Sequence, residues 1–159
     1  MLATANHLLE TIAAALPELQ AIPDGLAATA PAPGKWSPKQ IIGHLIDSAA
    51  NNHQKFLRTM AEDRISFPGY DQDRWVAAQH YDQSPWLELL RFWEYYNRHL
   101  AQVIRTVPEA ALSHTVHIDG KGPFTLEFMM KDYVEHLKHH LKAILPEAGY
   151  LDNSFRMVY

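Results

Sequence analysis

What most constrains the fold is a helical period that recurs in four long stretches of the chain, while a strand period takes firm hold in none. From about Thr4 to Leu19 the apolar positions Leu8, Leu9, Ile12, Leu16 and Leu19 share one helical face, with Pro17 near the end of the helix. Ser37-Pro38-Lys39-Gln40 starts a second helix. Ser37 is the N-cap, Pro38 brings the fixed φ of a first helical position, and Gln40 closes a capping box. This helix runs to about Met60, with Ile41, Ile42, Leu45, Ile46, Ala49 and Phe56 as a broad apolar stripe and His44, Ser48 and Asn51 along one edge. Gly43 sits inside it and costs about 1 kcal/mol against Ala unless close packing or ligand access uses the space.

Ser84-Pro85 repeats the cap-then-proline start for a third helix through Leu87, Leu90, Trp93, Leu100 and Ile104, which Val107-Pro108 ends. Thr125 caps a fourth, which reaches Leu145 and stops at Pro146. The segment from Ala21 to Lys35, with Pro23, Gly25, Pro31, Pro33 and Gly34, reads as an irregular crossing connection. Turn chemistry at Phe67-Pro68-Gly69, then a short helical piece, fills a second long connection lasting to Gln83. The span from His114 to Phe124 alternates briefly at Val116 and Ile118 before Gly120 and Gly122 break it, so it reads as an extended loop, with a short hairpin as the alternative. These features predict an all-α fold, a four-helix bundle with long crossover connections, in one domain over residues 1–159.

Composition narrows the function. The net charge of −4 and the scattered Lys and Arg argue against nucleic acid as a partner. Without cysteine, a transition-metal site must be built from histidine and carboxylates. No apolar run of eighteen residues predicts a membrane span, and no leader-like pattern opens the chain, so a cytoplasmic location is expected.

The chain has ten histidines, and chance alone would give roughly 0.6 pairs four residues apart, so spacing by itself says little. Position says more. Met129, Tyr133, His136, His140 and Ile144 lie on one face of the fourth helix, which turns His136 and His140 inward. Unpartnered neutral imidazoles are a poor core choice, and a metal resolves that cost. His44, on the edge of the second helix's stripe, is the natural third ligand, since bundle cores draw ligands from facing helices. Satisfied core histidines or a solvated histidine-rich face are the competing readings.

Asp47 and Glu135 are candidates to orient a ligand imidazole through its second nitrogen, against the plainer reading of two surface carboxylates. His139 points about 100° away from its neighbours and is left out. His7, His53, His80 and His99 have no assigned role; His114 and His117 either line a pocket mouth or face solvent. His136-Leu-Lys-His-His140 lacks the Glu of a zincin protease, and Asp71-Gln-Asp73 lacks the Gly and terminal Glu of a calcium loop.

From about Lys35 to Leu145 the chain resembles the DinB-like superfamily, in particular its branch of metal-dependent hydrolases and thiol transferases. The resemblance rests on Lys35-Trp36-Ser37, His44-Leu-Ile-Asp47-Ser48 followed by Asn51 or Asn52 and Phe56, and Tyr70-Asp71 with Trp75. Gly120 or Gly122 before Thr125-Leu126, and His136 with His140, complete it. It implies a bundle in which nickel or zinc is held by three histidines matching His44, His136 and His140, often in a homodimer. It also implies a small-molecule thiol of the bacillithiol, mycothiol or glutathione type as a partner, since some members are S-transferases.

The expected function is a metal-dependent S-transferase. A hydrolase using water activated by the metal, or a non-catalytic metal-binding dimeric bundle, are the alternatives. The apolar end of the chain, with Tyr150, Leu151, Phe155, Met157 and Tyr159, is expected to pack on the bundle or on a second subunit.

Overall fold

The computed structural model describes residues 1–157. Its helices are α1 (Leu2–Gln20), the short α2 (Asp24–Ala27), α3 (Pro38–Ala61), α4 (Gln72–Gln79), α5 (Trp86–Arg105) and α6 (Leu126–Ile144). Four of them, α1, α3, α5 and α6, make the bundle. Both α1 and α3 pack against α5 and α6, which sets α1 and α3 on a diagonal although they follow one another in the chain. The Pro- and Gly-rich connection must therefore cross the bundle end, as its length implies.

The start of α3 is the capping box read from the sequence: the Gln40 amide N–H donates to Ser37 Oγ at 3.3 Å, and the Ser37 N–H donates to Gln40 Oε1 at 2.9 Å. The start of α5 departs from expectation. Pro85, not Ser84, occupies the cap position and supplies no side-chain bond. The Trp86 N–H donates instead to Asp24 Oδ1 at 2.8 Å, and Asp24 Oδ2 takes the buried Lys39 ammonium at 3.0 Å. A carboxylate from α2 thus ties the beginnings of α3 and α5 together, and the Trp86 N–H and Lys39 hold its pKa below the ordinary carboxylate range.

The hairpin alternative for the third connection is the one realised, and it belongs to a small sheet. Strands β1 (Arg64–Phe67), β2 (Thr115–Ile118) and β3 (Lys121–Thr125) are ordered β1-β2-β3. β1 runs parallel to β2, pairing Arg64 with Thr115 and Phe67 with Ile118; β2 and β3 are antiparallel, with Val116 opposite Phe124. Asp119 and Gly120 turn the hairpin at φ of 49° and 77°, and Asp119 Oδ1 accepts the Gly69 N–H at 2.8 Å. The two long connections therefore brace each other over one side of the bundle.

Leu8, Ile12 and Leu19 of α1, Ile42, Leu45 and Phe56 of α3, Leu90, Trp93 and Ile104 of α5, and Met130, Leu137 and Leu141 of α6 form one continuous core. Gly43 lets the Tyr81 ring lie against the α3 backbone, because a Cβ there would fall inside that ring. At the chain end, Leu151 is buried, Tyr150 donates to Glu18, and Asp152 pairs with Lys142 at 2.9 Å. This part packs on the bundle as expected, while Tyr159 lies outside the described residues. Among the described residues no helix is long and apolar enough to cross a membrane.

Candidate metal centre

α3 and α6 are neighbours, so His44 and the His136/His140 face meet across their contact. Each of the three residues places a ring nitrogen within 4.8 Å of the others'. The Nε2 atoms of His44 and His136 are 3.4 Å apart, and the ring centroids are separated by 5.3 Å for His44–His136 and 4.5 Å for His44–His140 and His136–His140. Two nitrogens bound tetrahedrally at about 2.0–2.1 Å from one ion are about 3.3–3.4 Å apart. The His44–His136 pair is spaced as a metal would need it, with a ring nitrogen of His140 close by.

Electrostatics agree with the geometry. His44 is 1% exposed, and burial lowers its pKa to about 4. Burial, with the neighbouring imidazoles, lowers His140 to about 3 and His136 well below its ordinary value. All three rings are therefore neutral near pH 7, which leaves each a lone pair to donate. His44 Nδ1 is buried without a hydrogen-bond partner.

His136 turns Nε2 toward His44 and faces Ser48 Oγ with Nδ1 at 3.4 Å, which places the hydroxyl to favour the tautomer protonated at Nδ1. Ser48 Oγ also accepts from Asn52 Nδ2 at 3.3 Å. Ser48, not either carboxylate, is thus the group placed to orient a ligand ring. Asp47 projects from α3 toward α4, where its Oδ1 accepts from Gln79 Nε2 at 2.6 Å and Tyr81 Oη at 2.7 Å. It is buried rather than a surface carboxylate, and burial raises its pKa against those two donors. Glu135 accepts the Ser154 N–H at 3.1 Å and so fastens the chain end instead.

Of the remaining histidines, His139 sets its ring edge-on to His140 at 5.3 Å between centroids, while His114 and His53 have other partners. His114 Nδ1 donates to the Thr59 carbonyl at 2.8 Å and its Nε2 lies 3.2 Å from Asp63, a tie between α3 and the start of β2. His53 stacks edge-on with Tyr96 and His99. His139 is exposed, with Phe155 5.2 Å from its ring.

Two cavities reach the three imidazoles. One, of about 400 Å³, is lined by His44 and His136 with Ser48, Asn52, Tyr70 and Tyr133. The other, of about 650 Å³, meets His140 and runs past Trp36 toward Thr29 and Pro31. Trp36 caps the trio at 5.0 Å from His44 and 6.4 Å from His140, and Phe155 covers His136 at 5.2 Å. Trp36 was legible as a motif residue; Phe155 was legible only as part of an apolar end.

The model of the DinB superfamily matches residues 7–144. The chain belongs to the DinB superfamily. Among its DinB relatives, "Putative metal-dependent hydrolase YfiT" of Bacillus subtilis is 30% identical over 115 residues, which are 70% of this chain and 63% of that protein. "Putative metal-dependent hydrolase OB0782" of Oceanobacillus iheyensis is 26% identical over 112 residues, 70% of this chain and 64% of the relative. The matched DinB region thus spans less than two thirds of the length of these curated relatives. The solved structure of YfiT, described as having an unusual four-helix bundle topology, superimposes with a TM-score of 0.82 at 22% identity, covering 96% of this chain and 87% of the other. That likeness shows that the two chains share the four-helix-bundle fold.

Proposed function

We propose that this protein is a metal-dependent enzyme in which His44, His136 and His140 hold a divalent transition metal, nickel or zinc, and that it transfers a small-molecule thiol to an electrophile. The observation that carries the reading is the convergence of two neighbouring cavities on three neutral imidazoles, one buried and two half-buried. A two-substrate reaction uses both. The ion supplies Lewis acidity, lowering the pKa of a thiol or water that it binds.

The chain's own residues do the rest. His44, His136 and His140 would hold the ion through their ring nitrogens. Ser48 keeps the proton on His136 Nδ1, so that Nε2 keeps its lone pair. Trp36 and Phe155 exclude water from the rings. In the transfer a sulfur–carbon bond forms as the electrophile's leaving group departs with its electron pair, and the thiol proton passes to solvent.

Hydrolysis is the second reading, favoured by the names of the relatives. Metal-loaded protein assayed with several thiols and chlorodinitrobenzene should turn over at least about a hundredfold faster than its His140→Ala variant. Equal rates would overturn the transferase reading, and turnover of a simple ester with no thiol present would favour the hydrolase. We also propose a homodimer in the cytoplasm, which sedimentation velocity and cell fractionation test.

A further inference from the structure

The 400 Å³ cavity has a second chemical pole besides the histidines. His44, Ser48, Asn52 and Lys55 follow one another along a single face of α3 and all line it. The last lies eleven positions after the first, about 16 Å along the helix. The stripe is therefore graded: an imidazole at one end, a hydroxyl and an amide between, and an ammonium at the other.

Lys55 is 4% exposed. Its Nζ lies 5.6 Å from the centroid of the Phe67 ring, and Asp119 and Asp132 support its charge against burial, which lowers its pKa to about 8. An ammonium has three N–H donors, so it can bind a further acceptor while keeping the groups that support it. Midway along the stripe, Asn52 Oδ1 is buried and accepts no hydrogen bond from the protein, although its Nδ2 is engaged by Ser48. A buried amide oxygen left without a donor is costly. A ligand that carries a donor at that depth removes the cost.

We propose that the substrate seated in this cavity is a small molecule with a carboxylate at the end remote from the reacting atom, and that Lys55 receives this carboxylate while the reacting end lies at His44 and His136. The inference rests on the metal-enzyme reading above for the identity of the reacting end. A carboxylate fits better than a phosphate dianion: Lys55 and Lys121 line the cavity against Asp71 and Asp119, and Asp132 adds a further negative charge at Lys55, so a second charge on the ligand is opposed. Lys55 is a specificity-determining residue in this account: it selects the molecule by its far end.

The test is calorimetric titration of zinc-loaded wild type, Lys55→Met and Lys55→Arg with four probes: mercaptohexanoate, mercaptohexanol, hexanoate and hexanol. A desolvated charge-assisted hydrogen bond predicts that wild type binds each carboxylate about tenfold or more tightly than the matching alcohol. Lys55→Met should erase that preference and leave the affinity for the alcohols unchanged, and Lys55→Arg should retain part of it. The inference is overturned if wild type shows no preference, if the preference survives Lys55→Met, or if Lys55→Met weakens alcohols and carboxylates alike, which marks a structural lysine. The thiol reading fails separately, when the mercapto compounds bind no better than their thiol-free counterparts while the carboxylate preference stands.

Discussion

At the scale of single residues, the site depends on imidazoles that stay neutral and correctly turned. Ser48 Oγ, 3.4 Å from His136 Nδ1, holds the tautomer that presents Nε2, so Ser48→Ala should weaken metal binding by about 10- to 100-fold. Competition with a chromophoric chelator measures that loss. The same burial sets a pH dependence. His44 is held at about 4 and His140 at about 3, against an ordinary value of 6.5. As pH falls below about 6.5 the unfolded chain takes up protons that the native trio refuses, so the unfolded state gains. Metal-free protein should thus keep the full contribution of these groups above about 6.5 and lose it progressively toward pH 4. Melting temperature followed across that range checks this, and a His44→Asn variant should show the shallower fall.

At the scale of elements, each cap and each close approach has a partner that can be removed. Thr125 Oγ1 accepts the Phe128 N–H at 3.2 Å and starts the helix that carries His136 and His140. Thr125→Ala should cost about 1 kcal/mol in urea unfolding. Gly43→Ala drives a methyl into the Tyr81 ring and should cost about 1–3 kcal/mol, although Ala is the better helix former.

The long helices could be read from the sequence because their apolar stripes repeat over several turns and because Ser37-Pro38 and Thr125 cap with residues adjacent in the chain. The start of α5 could not, since its cap comes from Asp24, 62 residues away. The hairpin did leave a sign, the Asp119-Gly120 pair suited to two successive positive φ values. β1 left little trace, because its pairing is parallel to a strand about fifty residues later in the chain. Ser48 could be seen on the edge of the α3 stripe, but its bond to His136 depends on how α3 and α6 pack. For the same reason Asp47 looked like a partner for histidine, whereas α4 and the turn after it claim its carboxylate.

At the scale of the molecule, the bundle brings one histidine of α3 against two of α6, and the braced connections shape a cavity beside them. The three neutral rings, one buried and two half-buried, have little reason to face one another unless an ion joins them. That makes metal content the central claim. Elemental analysis of protein purified without added metal, alongside a His136→Ala variant, tests it most directly, with melting temperature recorded before and after chelation. The account predicts close to one nickel or zinc per chain in the wild type, near none in the variant, and a lower melting temperature once the ion is removed. Wild-type protein that holds no metal when offered nickel or zinc, and melts at the same temperature with or without chelator, would contradict it.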